Sequence, residues 1–339
     1  MNIVCHSSYL PACGGGEMHV CKFWEVLSRN NDVEIIYVGS DKFFDPIEER
    51  FNIDLSHCKK TQIDGGMGTF GGIISEMSGE ADLFLHYGFY DIVPRAKRNV
   101  LFYTVPWNLF KHVDKYDLLL ANSQFTADGL KNLYPNKEIN ILCPFAGGDF
   151  KTEKKENIIL TVGRFNLDLH QKKQYELIKL FNSFKLKNWK FYVVGSAIWH
   201  QELKYFEKCR NEAGQNVVVL KNVSHKELVD LNGRAKLYWH ATGLGDEDPT
   251  KFEHFGMAVI EAMAAGVVPL VINKGEPPNL VGNSDQIWLR ERELLDKTIR
   301  WAGNPEELVN RSNEMIKRAH VFNETAFENK VIEILDTSK

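Results

Sequence analysis

Short apolar, β-branched or aromatic runs alternate with amphipathic stretches from one end of the chain to the other. The runs predict strands at Asn2–Cys5, Val33–Val38, Asp82–His86, Val100–Thr104, Leu118–Ala121 and Ile139–Cys143. A second series follows at Ile158–Val162, Lys190–Val194, Val217–Leu220, Leu237–His240 and Val267–Ile272. Between several of them, Glu17–Ser28, Gln174–Phe184 and Gln201–Ala213 carry the amphipathic spacing of helices. Apolar strands that alternate with helices predict an α/β protein whose parallel sheets are covered on both faces.

The pattern breaks at Gly147–Glu156, where two glycines lead into a polar, charged run before a new apolar strand. That break predicts a boundary between domains 1–149 and 150–322. Two open parallel sheets, each with a crevice at its strand ends, are suited to holding a ligand between them. No internal repeat or extended low-complexity tract is visible.

Composition narrows the class. The chain has 339 residues, 44% hydrophobic and 25% charged, the balance of a globular protein with room for two cores. A net charge of -4 gives no whole-chain reason to bind nucleic acid. No apolar run reaches the roughly 18–20 residues that span a bilayer. The first residues read as a buried strand rather than a signal peptide, and a cytoplasmic location is expected. The six cysteines are scattered without a CxxC pair, so reduced, buried thiols are expected rather than disulfides or a metal site.

The most informative stretch is Trp239–Ile272. A strand ends near Thr242, a polar loop follows, a helix starts around Phe255–Gly256, and Gly266 stops it before the next strand. Glu261 is the one charged residue in Ala258–Ala265, and a carboxylate there is costly to bury unless something hydrogen-bonds to it. Glu253 lies in the loop before the helix. Between the two, the amides of Phe255, Gly256 and Met257 form a helix N-terminus, a natural diphosphate site through its donors and its dipole. Taken singly, Glu261 also fits a buried salt bridge or a loop cap, and Glu253 a solvated loop carboxylate. Their combination is far more specific.

The spacing Glu-x7-Glu, as EHFGMAVIEAMAAG, resembles the signature of retaining glycosyltransferase family 4, of the GT-B fold. The resemblance implies two Rossmann-like domains with parallel sheets facing across a cleft, and a C-terminal helix at about 323–339 that packs back on the first domain. It also implies that Glu253 holds the transferred sugar, Glu261 the donor ribose, and Phe255, Gly256 and Met257 the diphosphate. The variant EHFG is similar to that of lipid-linked oligosaccharide mannosyltransferases and bacterial surface-glycan enzymes. A second match, ILTVGRFNLDLHQKKQYELIKLF, resembles the family element whose Arg and Lys neutralise the donor diphosphate, which points to Arg164 and Lys172. Lys173 stands where many members have Gly or Arg and shares the donor-side assignment. Gly14, Gly15 and Gly16, between the first strand and helix, resemble the family loop that approaches donor phosphate and acceptor. Asn222 and Val223, in a strand-end loop, match the region that receives the nucleobase.

The first domain departs from the family pattern at one point. Many members place a His two residues before a Pro near the acceptor, where this chain has Thr104; His86, at another strand end, is the alternative. Trp107 and Asn108 just beyond are candidates for shaping the acceptor cleft.

Three signals are set aside. Gly66-x-Gly68-x-x-Gly71 matches a dinucleotide fingerprint, but the preceding KKTQID is too polar for the first apolar strand that such a loop should follow. Asp246-Glu247-Asp248 resembles a metal-binding Asp-x-Asp, yet this fold meets donor charge with cations and a helix end, so no metal or other cofactor is expected. Arg95–Lys115, basic and aromatic, reads as a strand with solvated flanks, with peripheral membrane contact as the other reading. The expected function is therefore transfer of a hexosyl unit from a nucleoside diphosphate sugar, GDP-mannose or a UDP-hexose, to a glycan or lipid-linked hydroxyl with retention. The alternatives are a related-fold epimerase or phosphorylase, a nicotinamide oxidoreductase, and a non-catalytic sugar-nucleotide-binding subunit.

Overall fold

The computed structural model describes every residue except 9, 11–13, 65–68, 89, 107–109, 148, 168–169, 185 and 337–339. Trp107, Asn108, Gly66 and Gly68 therefore lie outside the described residues. The chain forms two compact units, Met1–Pro144 with Thr325–Lys339, and Phe145–Glu324.

In the first unit the strands are β1 (Asn2–Ser7), β2 (Asp32–Tyr37), β3 (Cys58–Gln62), β4 (Leu83–Tyr87), β5 (Arg98–Tyr103), β6 (Leu118–Ala121) and β7 (Glu138–Ile141). They pair all-parallel in the order β3-β2-β1-β4-β5-β6-β7. The helices are α1 (Gly15–Ser28), α2 (Asp45–Phe51), α3 (Phe70–Ser78) and α4 (Gln124–Leu133). The second unit has β8 (Ile158–Val162), β9 (Lys190–Gly195), β10 (Val217–Lys221), β11 (Leu237–His240), β12 (Val268–Ile272) and β13 (Ile287–Trp288). These are also parallel, in the order β10-β9-β8-β11-β12-β13. Its helices are α5 (Gln174–Ser183), α6 (His200–Glu212), α7 (His225–Arg234), α8 (Met257–Ala264), α9 (Pro277–Val281), α10 (Glu291–Ala302) and α11 (Pro305–Ala319). The final helix, α12 (Glu324–Asp336), belongs by its packing to the first unit.

In each sheet the strand order reverses beside the first strand of the unit, and at such a reversal the loops leave on opposite faces and open a crevice. Central strands are apolar on both faces because helices cover both. Phe84, Leu101 and Leu119 are fully buried in the first unit, and Ile159, Phe191, Trp239 and Leu270 in the second. Trp239 satisfies its indole by donating to Thr298 Oγ1 at 3.0 Å. α12 seats Phe327 and Val331 in the first unit, where the Phe327 ring meets His19 edge-on and Glu328 pairs with Arg29 at 2.6 Å.

Two strands run against the sequence expectation. Lys59–Gln62 does form a strand, β3, despite its polarity. It is an edge strand, and each of its lysines finds a carboxylate: Lys59 pairs with Glu34 of β2 at 3.0 Å and Lys60 with Glu48 of α2 at 3.3 Å. The glycine fingerprint thus follows a strand, but the third and outermost one, and Gly71 falls inside α3. β13, unforeseen, has two residues, too few for any periodicity to show. Among the described residues, no helix is long and apolar enough to cross a membrane.

Candidate functional site

The chemistry-bearing residues of the second unit gather at the C-terminal ends of its central strands. β8 leads into Gly163 and Arg164, and β11 ends at His240. Tyr238 ties the two strands together by donating to the carbonyl of Val162 at 3.1 Å. α8 then begins behind Gly256, whose φ of +113° turns the chain sharply into the helix. The carbonyl of Gly256 accepts from Val259 and Ile260, at 2.9 and 3.2 Å. Among the described residues the amides of Gly256, Met257 and Ala258 have no recorded acceptor, so the positive end of the helix is open to an anion.

Glu253 sits immediately before this helix end. Its Oε2 accepts from the Lys172 ammonium and lies 3.4 Å from both His240 Nε2 and Thr242 Oγ1. Its own backbone carbonyl is held by the Glu276 amide at 2.9 Å. Burial alone would push this carboxyl up; Lys172 and His240 outweigh it and hold Glu253 well below the usual carboxylate range. Burial dominates at His240, whose ring is held below its ordinary value and is neutral at pH 7. Behind them His170 and His254 meet edge-on with ring centroids 4.7 Å apart. His170 Nε2–H donates to the Thr250 carbonyl at 3.1 Å and His254 Nε2–H to that of Pro249 at 3.0 Å. The loop that carries Glu253 is thus fastened on both sides before any ligand arrives.

Lys172 and Lys173 are divided between two carboxylates. Lys172 takes Glu253, and Lys173 takes Asp246 at 2.9 Å, where it is the first cause of a lowered Asp246 carboxyl. Lys173 has φ +56°, a left-handed conformation that favours glycine. The acidic triplet is occupied by protein: Glu247 pairs with Lys274 at 3.0 Å, and Asp248 caps the turn through the Thr250 amide. Arg164 is the exposed cation of the group, its side chain 46% accessible, with Glu202 Oε1 3.9 Å away. Glu261 lies half-buried on α8, close enough that its charge and that of Glu253 bear on the buried Tyr238 phenol. Asn222 clamps another loop instead of presenting its amide outward: it accepts from the Ala197 amide at 2.9 Å and donates to the Ala197 carbonyl at 3.0 Å. Val223 beside it is half-buried.

In the first unit the glycines are not the separate loop expected between β1 and α1. Gly15 and Gly16 are the first residues of α1, because Gly14 acts as N-cap and its amide donates to Glu17 at 2.7 Å. A side chain at residue 16 would collide with the Tyr87 hydroxyl. Thr104 follows β5, half-buried. His86 is a core residue. Its Nε2–H donates to the Tyr90 carbonyl at 2.8 Å, which leaves Nδ1 to accept from His6 Nδ1–H at 3.0 Å. Both ring nitrogens are therefore used inside the core, and burial lowers His86 to about 4.

Sequence reasoning missed His240, Thr242, His170, His254 and Glu202. The signal for His240 was its place at the last position of an apolar strand, next to the motif. His254 and His170 lie inside the two quoted motifs and Thr242 at the predicted strand end, but nothing there assigns them a contact, and Glu202 carries no local mark.

A strand-end cation, a carboxylate and an open helix N-terminus are thus assembled in the second unit. The model of the family described as "Glycosyl transferases group 1" matches residues 148–322, just over half of the chain. The chain belongs to the group 1 glycosyl transferases. Solved structures share its GT-B fold. Sucrose-phosphate synthase from Thermosynechococcus elongatus is 13% identical with a TM-score of 0.75, covering 99% of each chain. HepE of Anabaena, solved with UDP and glucose, is 14% identical with a TM-score of 0.74 and the same coverage. A glycosyltransferase from Rickettsia africae is 15% identical with a TM-score of 0.75, covering 98% of this chain and 97% of that one. No curated protein matches this group 1 glycosyltransferase significantly.

Proposed function

We propose that this glycosyltransferase moves a hexosyl unit from a nucleoside diphosphate sugar to a glycan or lipid-linked hydroxyl, with retention at the anomeric carbon. The observation that carries the reading is the Lys172–Glu253 contact beside the open N-terminus of α8, between residues far apart in sequence. In this reading the helix end and Arg164 take the diphosphate, Lys172 exchanges Glu253 for phosphate when donor arrives, and Glu253 then receives the sugar hydroxyls. Glu261 holds the ribose. The bond from the anomeric carbon to the phosphate oxygen breaks as the acceptor oxygen approaches on the same face. The acceptor proton passes to the departing phosphate. Charge that builds on the leaving group meets fixed positive ends, where preorganised donors act most strongly, and no metal is required. GDP-mannose and UDP-hexoses are the donors to try first. HepE, which shares the fold, was solved with UDP and glucose.

The test pairs binding with turnover. A thermal-shift screen against GDP-, UDP- and ADP-sugars identifies the donor, because a ligand held only by the folded state raises its apparent stability. With that donor, Arg164→Ala and Glu253→Ala are each expected to cut transfer by about a hundredfold or more, while the unfolding midpoint stays within a few degrees. Near-normal turnover in both variants would sink the assignment. A product of opposite anomeric configuration would overturn retention, and isomerised donor without transfer would make the protein an epimerase.

A further inference from the structure

Lys172 stands between two residues with left-handed backbone, His170 at φ +58° and Lys173 at φ +56°. Among the described residues the other non-glycines with positive φ are Asn52, Asn188 and Asn222. Asparagine and histidine enter this region more readily than other side chains, and lysine is not among them. A lysine held there persists only where its surroundings over-determine it.

The surroundings that do so belong to the loop of Glu253. His170 Nε2–H donates to the Thr250 carbonyl at 3.1 Å, and His254 Nε2–H to the neighbouring Pro249 carbonyl at 3.0 Å. The two rings meet edge-on, with centroids 4.7 Å apart. Both carbonyls lie in the one turn at Pro249–Lys251, which Asp248 caps. His254 therefore folds back past Glu253 onto that turn, and His170 grips the same turn from the segment of Lys172. Burial is the first cause that keeps both rings below their ordinary value, so each is neutral and uses its N–H on a carbonyl.

Lys172 to Glu253, Lys173 to Asp246 and His170 to Thr250 tie the two segments together, and the ties differ in kind. The lysines form ion pairs at the ends of flexible four-carbon stems. The Lys172 pair is also the one that an arriving phosphate displaces. The His170 tie is neutral, is carried by a short, stiff ring, and holds main chain to main chain whatever Lys172 binds.

We propose that His170 is a positioning residue, which with His254 keeps the Lys172 ammonium in register with both Glu253 and the donor diphosphate while one is exchanged for the other. The inference rests on the reading of Lys172 as a cation that takes the diphosphate. His170 has its Nε2 committed to Thr250 and its ring to His254, so it works through Lys172 and not on the reacting atoms. A misplacement of about 1 Å can cost as much as a hundredfold in rate, so lost register falls on kcat more than on the donor KM.

The test is a double-variant cycle on the full chain, with the donor found by thermal shift. His170→Asn keeps a residue that accepts left-handed backbone but has no N–H at the ε position. His170→Ala removes the bond by a second route, and His170→Gln restores an N–H at that position. The Asn and Ala variants are each expected to lower kcat about tenfold, with the donor KM within about threefold and the unfolding midpoint within a few degrees. The Gln variant should stay within about threefold of wild type. Added to Lys172→Met, which itself transfers poorly, His170→Asn should lower kcat by less than about twofold, because its route of action is already gone.

The same proportional loss from His170→Asn in wild type and in Lys172→Met overturns the inference, since His170 would then act independently of Lys172. Unchanged kcat in the Asn and Ala variants overturns it too, as does a Gln variant as impaired as Ala. In each of these cases poor transfer by Lys172→Met leaves the functional reading standing. Near-normal transfer by Lys172→Met overturns the reading of Lys172 and this inference together.

Discussion

Glu253 shows how much of this site is decided one residue at a time. Its carbonyl anchors Glu276, and the turn that brings Gly275 against it has φ +71° there. A Cβ at residue 275 would collide with the Glu253 carbonyl, so the position demands glycine for both its conformation and its space. Gly275→Ala is expected to cost roughly 1–3 kcal/mol in denaturant unfolding and to lower transfer, since Glu253 must shift to admit the methyl. Gly72 is the control: it sits inside α3, where an added Cβ meets nothing within 4 Å. There alanine should stabilise by about 0.5–1 kcal/mol. Equal behaviour of the two variants would show that the turn at Gly275 does not constrain Glu253.

The element that organises the site is α8, and its far end is built as deliberately as its N-terminus. Lys155 Nζ donates to the Ala265 carbonyl at 2.6 Å, and Ser312 Oγ to that of Gly266 at 2.6 Å. A cation at the negative end of a helix is favourable, yet burial still lowers Lys155 to about 7. In the unfolded chain a lysine titrates near 10.4. Between these values the unfolded chain binds the extra proton, so the stability this group contributes is full above about pH 10.4 and is lost as pH falls to about 7. Wild type should therefore gain on Lys155→Met between pH 7 and pH 9.5, by on the order of 1–3 kcal/mol in chemical denaturation. A constant gap across that interval would mean that the ammonium is solvated.

Across the whole molecule, both units bury neutral histidines. Burial lowers His6, His19 and His86 in the first, and His170, His240 and His254 in the second. The unfolded chain protonates each near pH 6.5, while the folded rings resist down to about 4 for His86 and about 3 for His19 and His254. The stability they contribute is present above pH 6.5 and is lost as pH falls toward those values, by up to about 2 kcal/mol per fully resistant ring at pH 5. Scanning calorimetry from pH 8 to pH 5 should show the unfolding midpoint falling steeply below pH 6.5. A flat profile would contradict the buried, neutral state of these rings.

Along the chain, alternation of apolar runs and amphipathic stretches was enough to determine an α/β protein with parallel sheets, because a strand covered on both faces must be apolar at every position. The same local logic placed α8, since Gly256 and Gly266 bracket it and a carboxylate at Glu261 stands out against alanines. It failed at β3 and β13, where an edge position tolerates charge and a two-residue pairing has no period. Glu261 was legible because it interrupts an apolar helix, whereas Arg164, Lys172 and Glu253 were picked out by the resemblance of their motifs to a known family. What each touches was not. That Lys172 pairs with Glu253, that Asp246 receives Lys173, that Asn222 and Glu202 brace the loop of Trp199, and that His86 turns inward to His6 are contacts between residues distant in sequence. Their geometry is set by which strand ends lie side by side, and strand order is a property of the folded sheet that no local pattern encodes.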